Sequence, residues 1–191
     1  YDAAQSIFRG TFDLADIVFL IILLFLLLCS ALASASEVAY FSLSPGELEK
    51  LKEKGYDKVA NLHQKPNLLL STILITNNFV NVGIVILSTY LVNSLFDFSG
   101  NPVLGFIIQV IGVTFIILLF GEIIPKLYAN RSQVKMAIFM AGPLTFLTYL
   151  FRPLSTLLIR STSLISKRMA KKDGLSLSLI HISEPTRRVV I

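Results

Sequence analysis

The chain has no tryptophan, one cysteine and two histidines. Cys29 has no second cysteine to pair with, so no intrachain disulfide forms and the thiol says nothing about redox compartment. With so little thiolate and imidazole, a zinc or copper centre has almost nothing to draw on. Charge is scarce as well. Charged residues make up 15% of the chain against 54% hydrophobic residues, a balance too apolar for an ordinary water-soluble domain. The net charge of +5 does not point to nucleic acid, because the basic residues flank apolar stretches and are not interleaved with aromatics on a polar face.

Three stretches lack charge altogether: Ile17 to Ser36, Pro66 to Phe96, and Ser99 to Gly121. Each has about the length, roughly 20 residues, that a helix needs to cross a hydrocarbon core. The expected fold is an all-α membrane protein with three transmembrane helices, at about 15–37, 67–95 and 102–128, and a cytoplasmic-side juxtamembrane helical belt. A cleaved signal peptide competes for the first stretch through Ala33-Ser34-Ala35. The preceding segment opposes it, carrying Asp2, Asp13 and Asp16 against Arg9 where a positive region is required.

Between the first two spans, Ser44-Pro45-Gly46-Glu47 reads as a capped helix start, with Pro45 at the first helical position. An amphipathic helix over about 45–63 follows. It puts Leu48, Leu51, Val59 and Leu62 on one stripe, leaves Lys50, Lys52, Lys54 and Lys58 wet, and is broken or bent at Gly55. Lysines crowd this connection, and Lys126, Arg131 and Lys135 follow the third span. The positive-inside rule therefore makes both regions cytoplasmic, with the N-terminus and the Asp97 turn outside and the C-terminus inside.

Met136 to Phe151 is apolar but short, and Gly142-Pro143 is expected to interrupt it. A fourth crossing there would carry Arg152, Arg160, Lys167, Arg168, Lys171 and Lys172 outside, so 133–168 is read as an interfacial belt, with four spans as the competing topology. The membrane domain is assigned to 13–172. The tail 173–191 alternates like a strand and then reads as a loop. It is taken as foreign or truncated sequence, and the chain, starting at Tyr1, as a fragment. No internal repeat is visible.

Inside this apolar frame, Gly121-Glu122-Ile123-Ile124-Pro125-Lys126 stands out. A carboxylate at membrane depth is costly and is a functional-site hypothesis by default. Pro125 lacks the N–H that would meet the Gly121 carbonyl, so a carboxylate lies beside a freed backbone oxygen. Ser30 and Ser34 share one face of the first span, as Asn77 and Asn81 do on the second. Hard cations take oxygen ligands of these kinds. The bland reading has the serines bonding back to their own helix and the asparagines acting as packing glue. Glu37 is either an acidic partner of the site, an ion partner for a loop lysine, or an interfacial carboxylate. His63 and His181 have no partner at ligand spacing, and the Asn130-Arg131-Ser132 sequon falls on the cytoplasmic side.

Several elements in order, Ser34 to Ser42, Gly55, Asn77 to Asn81, Gly121-Glu122-Ile123-Ile124-Pro125-Lys126 and Arg152-Pro153, resemble the transmembrane domain of the CorC/CNNM (cyclin M) family of magnesium transporters. The resemblance implies a homodimer, three spans per subunit, and sodium-dependent Mg2+ export from an inward-side site. It carries the ion contacts to Ser30, Ser34, Asn77, the Gly121 carbonyl and Glu122, while Glu37, Asn81 and Pro125 are read from the residues themselves as outer, supporting positions. It implies Mg2+ as the transported ion, Na+ as a coupling ion, and cytoplasmic cystathionine-beta-synthase domains in the longer protein. Two other classes remain: a non-transporting membrane anchor for regulatory domains, and a cation channel. No nucleophile and base pair up within the spans, so an enzyme is not expected.

Overall fold

The computed structural model describes residues 13–161 of the chain. Seven helices follow one another there: α1 (Leu14–Phe41), α2 (Pro45–Glu53), α3 (Asp57–His63), α4 (Pro66–Leu95), α5 (Pro102–Arg131), α6 (Gln133–Leu150) and α7 (Arg152–Ser161). Among the described residues there is no strand. Proline supplies the first-turn position of α2, α4 and α5, where a missing N–H costs nothing. Asn101 caps α5 by accepting from the Leu104 amide at 3.2 Å.

Helices α1, α4 and α5 are each long and apolar enough to cross a membrane. Large side chains such as Phe25, Phe79, Ile86, Phe106 and Phe115 are exposed along them. In water such a surface would be a liability, whereas against lipid it is the expected outer face. Helices α6 and α7 meet at 74°, and by length and composition this bent pair is compatible with one broken span or a re-entrant loop.

Helix α6 departs from the sequence expectation. It runs through Gly142-Pro143 without a break, and the chain turns instead at Phe151, just before Arg152-Pro153. Packing accounts for the difference. Met140, Ala141 and Leu144 are buried on either side of the proline, so tertiary contacts hold the helix through the one bond Pro143 cannot make. Residues 162–168 of the expected belt, the tail 173–191 and His181 lie outside the described residues.

A compact core forms at one end of the bundle from Tyr40, Leu43, Leu51, Val59, Leu62, Leu69, Ile73, Ala137, Met140 and Leu144. The apolar stripe of α2 and α3 supplies Leu51, Val59 and Leu62, while Lys50, Lys52, Lys54 and Lys58 stay exposed. Gly55 turns the chain between those helices at φ +81°, in the left-handed region that favours glycine. The Glu47 carboxylate accepts from the Ser44 hydroxyl at 2.7 Å and the Ser44 amide at 2.8 Å, which hold its pKa below the ordinary carboxylate value.

Tyr40, fully buried on α1, donates its hydroxyl to the Ala137 carbonyl on α6 at 2.9 Å. Tyr40→Phe keeps the ring and removes the one bond from α1 to that carbonyl, so a loss of about 1 kcal/mol in unfolding free energy is expected. Thermal unfolding in detergent checks this. An unchanged midpoint would mean the bond contributes nothing to holding α6 on α1.

The other end is tied by different groups. Asp16, which the sequence offered only as flanking charge, is buried and accepts from the Ser94 hydroxyl at 2.7 Å and the Asp13 amide at 3.2 Å. Gln109 on α5 donates to the Thr89 hydroxyl on α4. These contacts fix the ends of three helices that lipid alone would leave free to slide, since apolar surface gives little drive for association in a bilayer.

Candidate metal centre

Three helices bring polar side chains to one place between these ends. On α1, Ser30 and Ser34 sit one turn apart and both are fully buried. On α4, Asn77 and Asn81 repeat that spacing and are partly buried, whereas Asn78 points away and is exposed. On α5, Gly121 is buried and Glu122 partly buried.

The contacts among them are specific. The Ser30 hydroxyl lies 2.9 Å from Asn77 Oδ1 and 2.8 Å from Asn81 Oδ1. Ser34 Oγ is 3.5 Å from Asn77 Oδ1, and Asn77 Nδ2 donates to Glu122 Oε1 at 3.4 Å. The Ser30 proton thus faces two amide oxygens, and a second hydroxyl, that of Ser34, is near. Lone pairs outnumber the protons available to them, which is an arrangement that attracts a cation.

The bland alternative for the serines can be tested against a neighbour. Ser36 does bond back to its own helix, donating to the Leu32 carbonyl at 2.6 Å. Ser30 and Ser34 instead direct their hydroxyls across to α4.

Close approach of α5 depends on Gly121. A Cβ there would stand 3.0 Å from Ser30 Oγ and 3.6 Å from Ser30 Cβ, so only glycine lets this backbone reach the α1 hydroxyl without displacing it. The local backbone is also unusual. Ile117–Ile123 is π-helical, and the Ile124 amide reaches back five residues to the Leu119 carbonyl. Such π turns cluster at functional sites because they re-aim side chains and loosen the regular bond ladder. The sequence marks this place through Gly121, Glu122 and Pro125. A second π-helical stretch, Ile108–Gly112, had no comparable signal.

Ser30, Ser34, Asn77, Asn81, Gly121 and Glu122 therefore come together, with Asn81 as close to Ser30 as Asn77 is. Glu37 and Pro125 make no hydrogen bond to this cluster. Glu37 Oε2 instead pairs with Lys126 Nζ at 3.0 Å. Gly83 on α4 is a close packing point against α1: a Cβ on it would meet Leu26 Cδ1 at 3.2 Å.

Among the described residues no three His, Cys, Asp or Glu side chains gather where a metal could sit. An ion at this cluster would be held by neutral oxygens around a single carboxylate. Such a donor set suits a hard cation and offers nothing to a soft one.

The sequence matches the family model described as the cyclin M transmembrane N-terminal domain over residues 21–179. It is 34% identical over 176 residues to a UPF0053 protein of Haemophilus influenzae, covering 89% of this chain and 40% of that protein. A polyamine export protein of the same organism is 29% identical over 140 residues, covering 68% of this chain and 32% of its own length. The metal transporter cnnm-4 of Caenorhabditis elegans is 31% identical over 123 residues, covering 59% of this chain and 25% of its own length. The chain spans less than half the length of each of these relatives.

Proposed function

The chain belongs to the cyclin M transmembrane-domain family, and from that premise we propose that it carries Mg2+ across a cell membrane, as an exporter driven by Na+. Mg2+ is the cargo, taken by Ser30, Ser34, Asn77, the Gly121 carbonyl and Glu122, with Asn81 beside them. The observation that carries this reading is the convergence of hydroxyl, amide and carboxylate oxygens from α1, α4 and α5 around Ser30 Oγ.

A single formal negative charge against a dication leaves the loaded site positive, so binding is weak enough for release. Na+ competes for the same hard oxygens, which is the simplest physical route to coupling. The π-helical stretch at Glu122 and the proline after it give α5 a place to bend, so movement there opens the route to the opposite face.

The N-terminus is placed outside and the C-terminus in the cytoplasm, with α2, α3, α6 and α7 near the inner surface. The exposed lysines of α2 and α3 support that orientation. A homodimer, and cystathionine-beta-synthase domains outside these residues, belong to the same reading and rest on family likeness alone.

A polyamine is the rival cargo raised by one relative's name. An extended organic cation needs acidic groups spaced along its length, and this cluster holds one carboxylate among short contacts. The deciding experiment uses the purified chain in liposomes loaded with Mg2+ and an indicator. Efflux should appear with an opposing Na+ gradient and stop without it. No flux would favour a membrane anchor, fast flux without Na+ a channel, and counterflow of labelled putrescine in place of Mg2+ a polyamine carrier.

A further inference from the structure

The ion pair between Glu37 and Lys126 lies one turn beyond the oxygen cluster on both helices that form it. Ser30, Ser34 and Glu37 follow at i, i+4 and i+7 on α1, so they share one face. Lys126 follows Glu122 by four residues on α5, about one turn at either α or π pitch. The ammonium of Lys126 is therefore within reach of two carboxylates, and it sits on Glu37 at 3.0 Å.

Glu122 is engaged by the Asn77 amide, and among the described residues no cationic group pairs with it. This matters because a lysine on Glu122 would cancel the only formal charge in the cluster and would itself compete as a tethered cation. Both members of the pair are about one-third exposed, Lys126 at 38% and Glu37 at 32%. They line an open cavity of about 420 Å³ together with Val38, Phe41, Ser42 and Leu70. A solvated pair of this kind contributes little to folding, so its consequence is to be sought in where it holds the lysine. The cavity also gives the long lysine side chain room to swing.

We propose that Glu37 is a positioning residue that holds Lys126 off Glu122 and so keeps the site carboxylate available to the cation. The proposal rests on the Mg2+ reading of the cluster, and its test separates the two. In the full chain reconstituted in nanodiscs, Glu37→Gln should release Lys126 onto Glu122 and weaken Mg2+ binding by about tenfold, the scale expected when one nearby charge is neutralised. Lys126→Gln should bind Mg2+ at least as tightly as the unaltered chain, and Glu37→Gln with Lys126→Gln should recover the lost affinity. A merely structural pair would fail in the same way from either side. Equal losses from the two single variants, or no recovery in the double, would overturn the proposal.

A second measurement does not involve the metal. Acylation of Lys126 by acetic anhydride, read by mass spectrometry, should stay low in Glu37→Gln because Glu122 captures the ammonium. It should rise only in Glu37→Gln with Glu122→Gln. If Glu37→Gln alone exposes Lys126, the lysine does not move to Glu122 and the proposal fails. If this labelling pattern holds while Mg2+ binds none of the proteins, the ion reading fails and the positioning role stands.

Discussion

Glu122→Gln is expected to weaken Mg2+ binding on the order of a hundredfold, about 2.8 kcal/mol at 1.4 kcal/mol per tenfold. A full negative charge about 4 Å from a dication gains on the order of 8 kcal/mol at an effective dielectric of about 20. Stripping water from Mg2+ and from the carboxylate offsets most of that gain. The amide keeps the shape and can still accept from Asn77 Nδ2, the contact that holds the carboxylate at 3.4 Å, so the fold should survive.

Thermal unfolding separates the two effects. Without Mg2+ the variant should melt where the unaltered chain does. With Mg2+ the unaltered chain should gain the ligand-linked stabilisation, RT ln(1 + [L]/Kd), and the variant should gain almost none at the same concentration. Efflux from loaded liposomes should fall in parallel. Intact Mg2+ stabilisation and flux in Glu122→Gln would mean the ion is held elsewhere.

Gly121→Ala should be nearly as damaging although it alters no charge. The added methyl would stand 3.0 Å from Ser30 Oγ and 3.6 Å from Ser30 Cβ. Something must give, and the hydroxyl is pinned between Asn77 Oδ1 at 2.9 Å and Asn81 Oδ1 at 2.8 Å. Displacing it breaks the hydrogen bond that its single proton shares between those oxygens, worth about 1 kcal/mol, and scatters the oxygens an ion would use.

At least a tenfold loss of Mg2+ affinity is expected, about 1.4 kcal/mol. A double-mutant cycle identifies the cause. In a Ser30→Ala background the clash is gone, so adding Gly121→Ala should cost little more. Additive losses would show that Gly121 acts through something other than Ser30.

Much of this was legible in the residues, for a reason particular to membranes. A bilayer forbids charge over a fixed length, so the uncharged stretches ending at Ser36, Phe96 and Gly121 announce themselves, and α1, α4 and α5 lie over them. The same prohibition makes every polar exception conspicuous. Ser30, Ser34, Asn77, Asn81 and Glu122 stand out because lipid gives an unsatisfied oxygen no partner. Local chemistry likewise specified the Ser44 cap and the Gly55 turn.

Other features had no local signature. Pro143 looked like a break and is not one, because burial of Met140, Ala141 and Leu144 outweighs a single missing hydrogen bond. The π-helical stretches and the burial of Asp16 under Ser94 depend on how helices meet.

The sequence alone determined that three long helices cross apolar surroundings and which oxygens they carry, because hydropathy and helical spacing are properties of a single segment. Only the tertiary structure decided that Ser30 faces both asparagines, that Gly121 admits α5 to them, and that Lys126 lies on Glu37. Those outcomes depend on the rotation and depth of one helix against another, which side-chain packing sets and no single segment encodes.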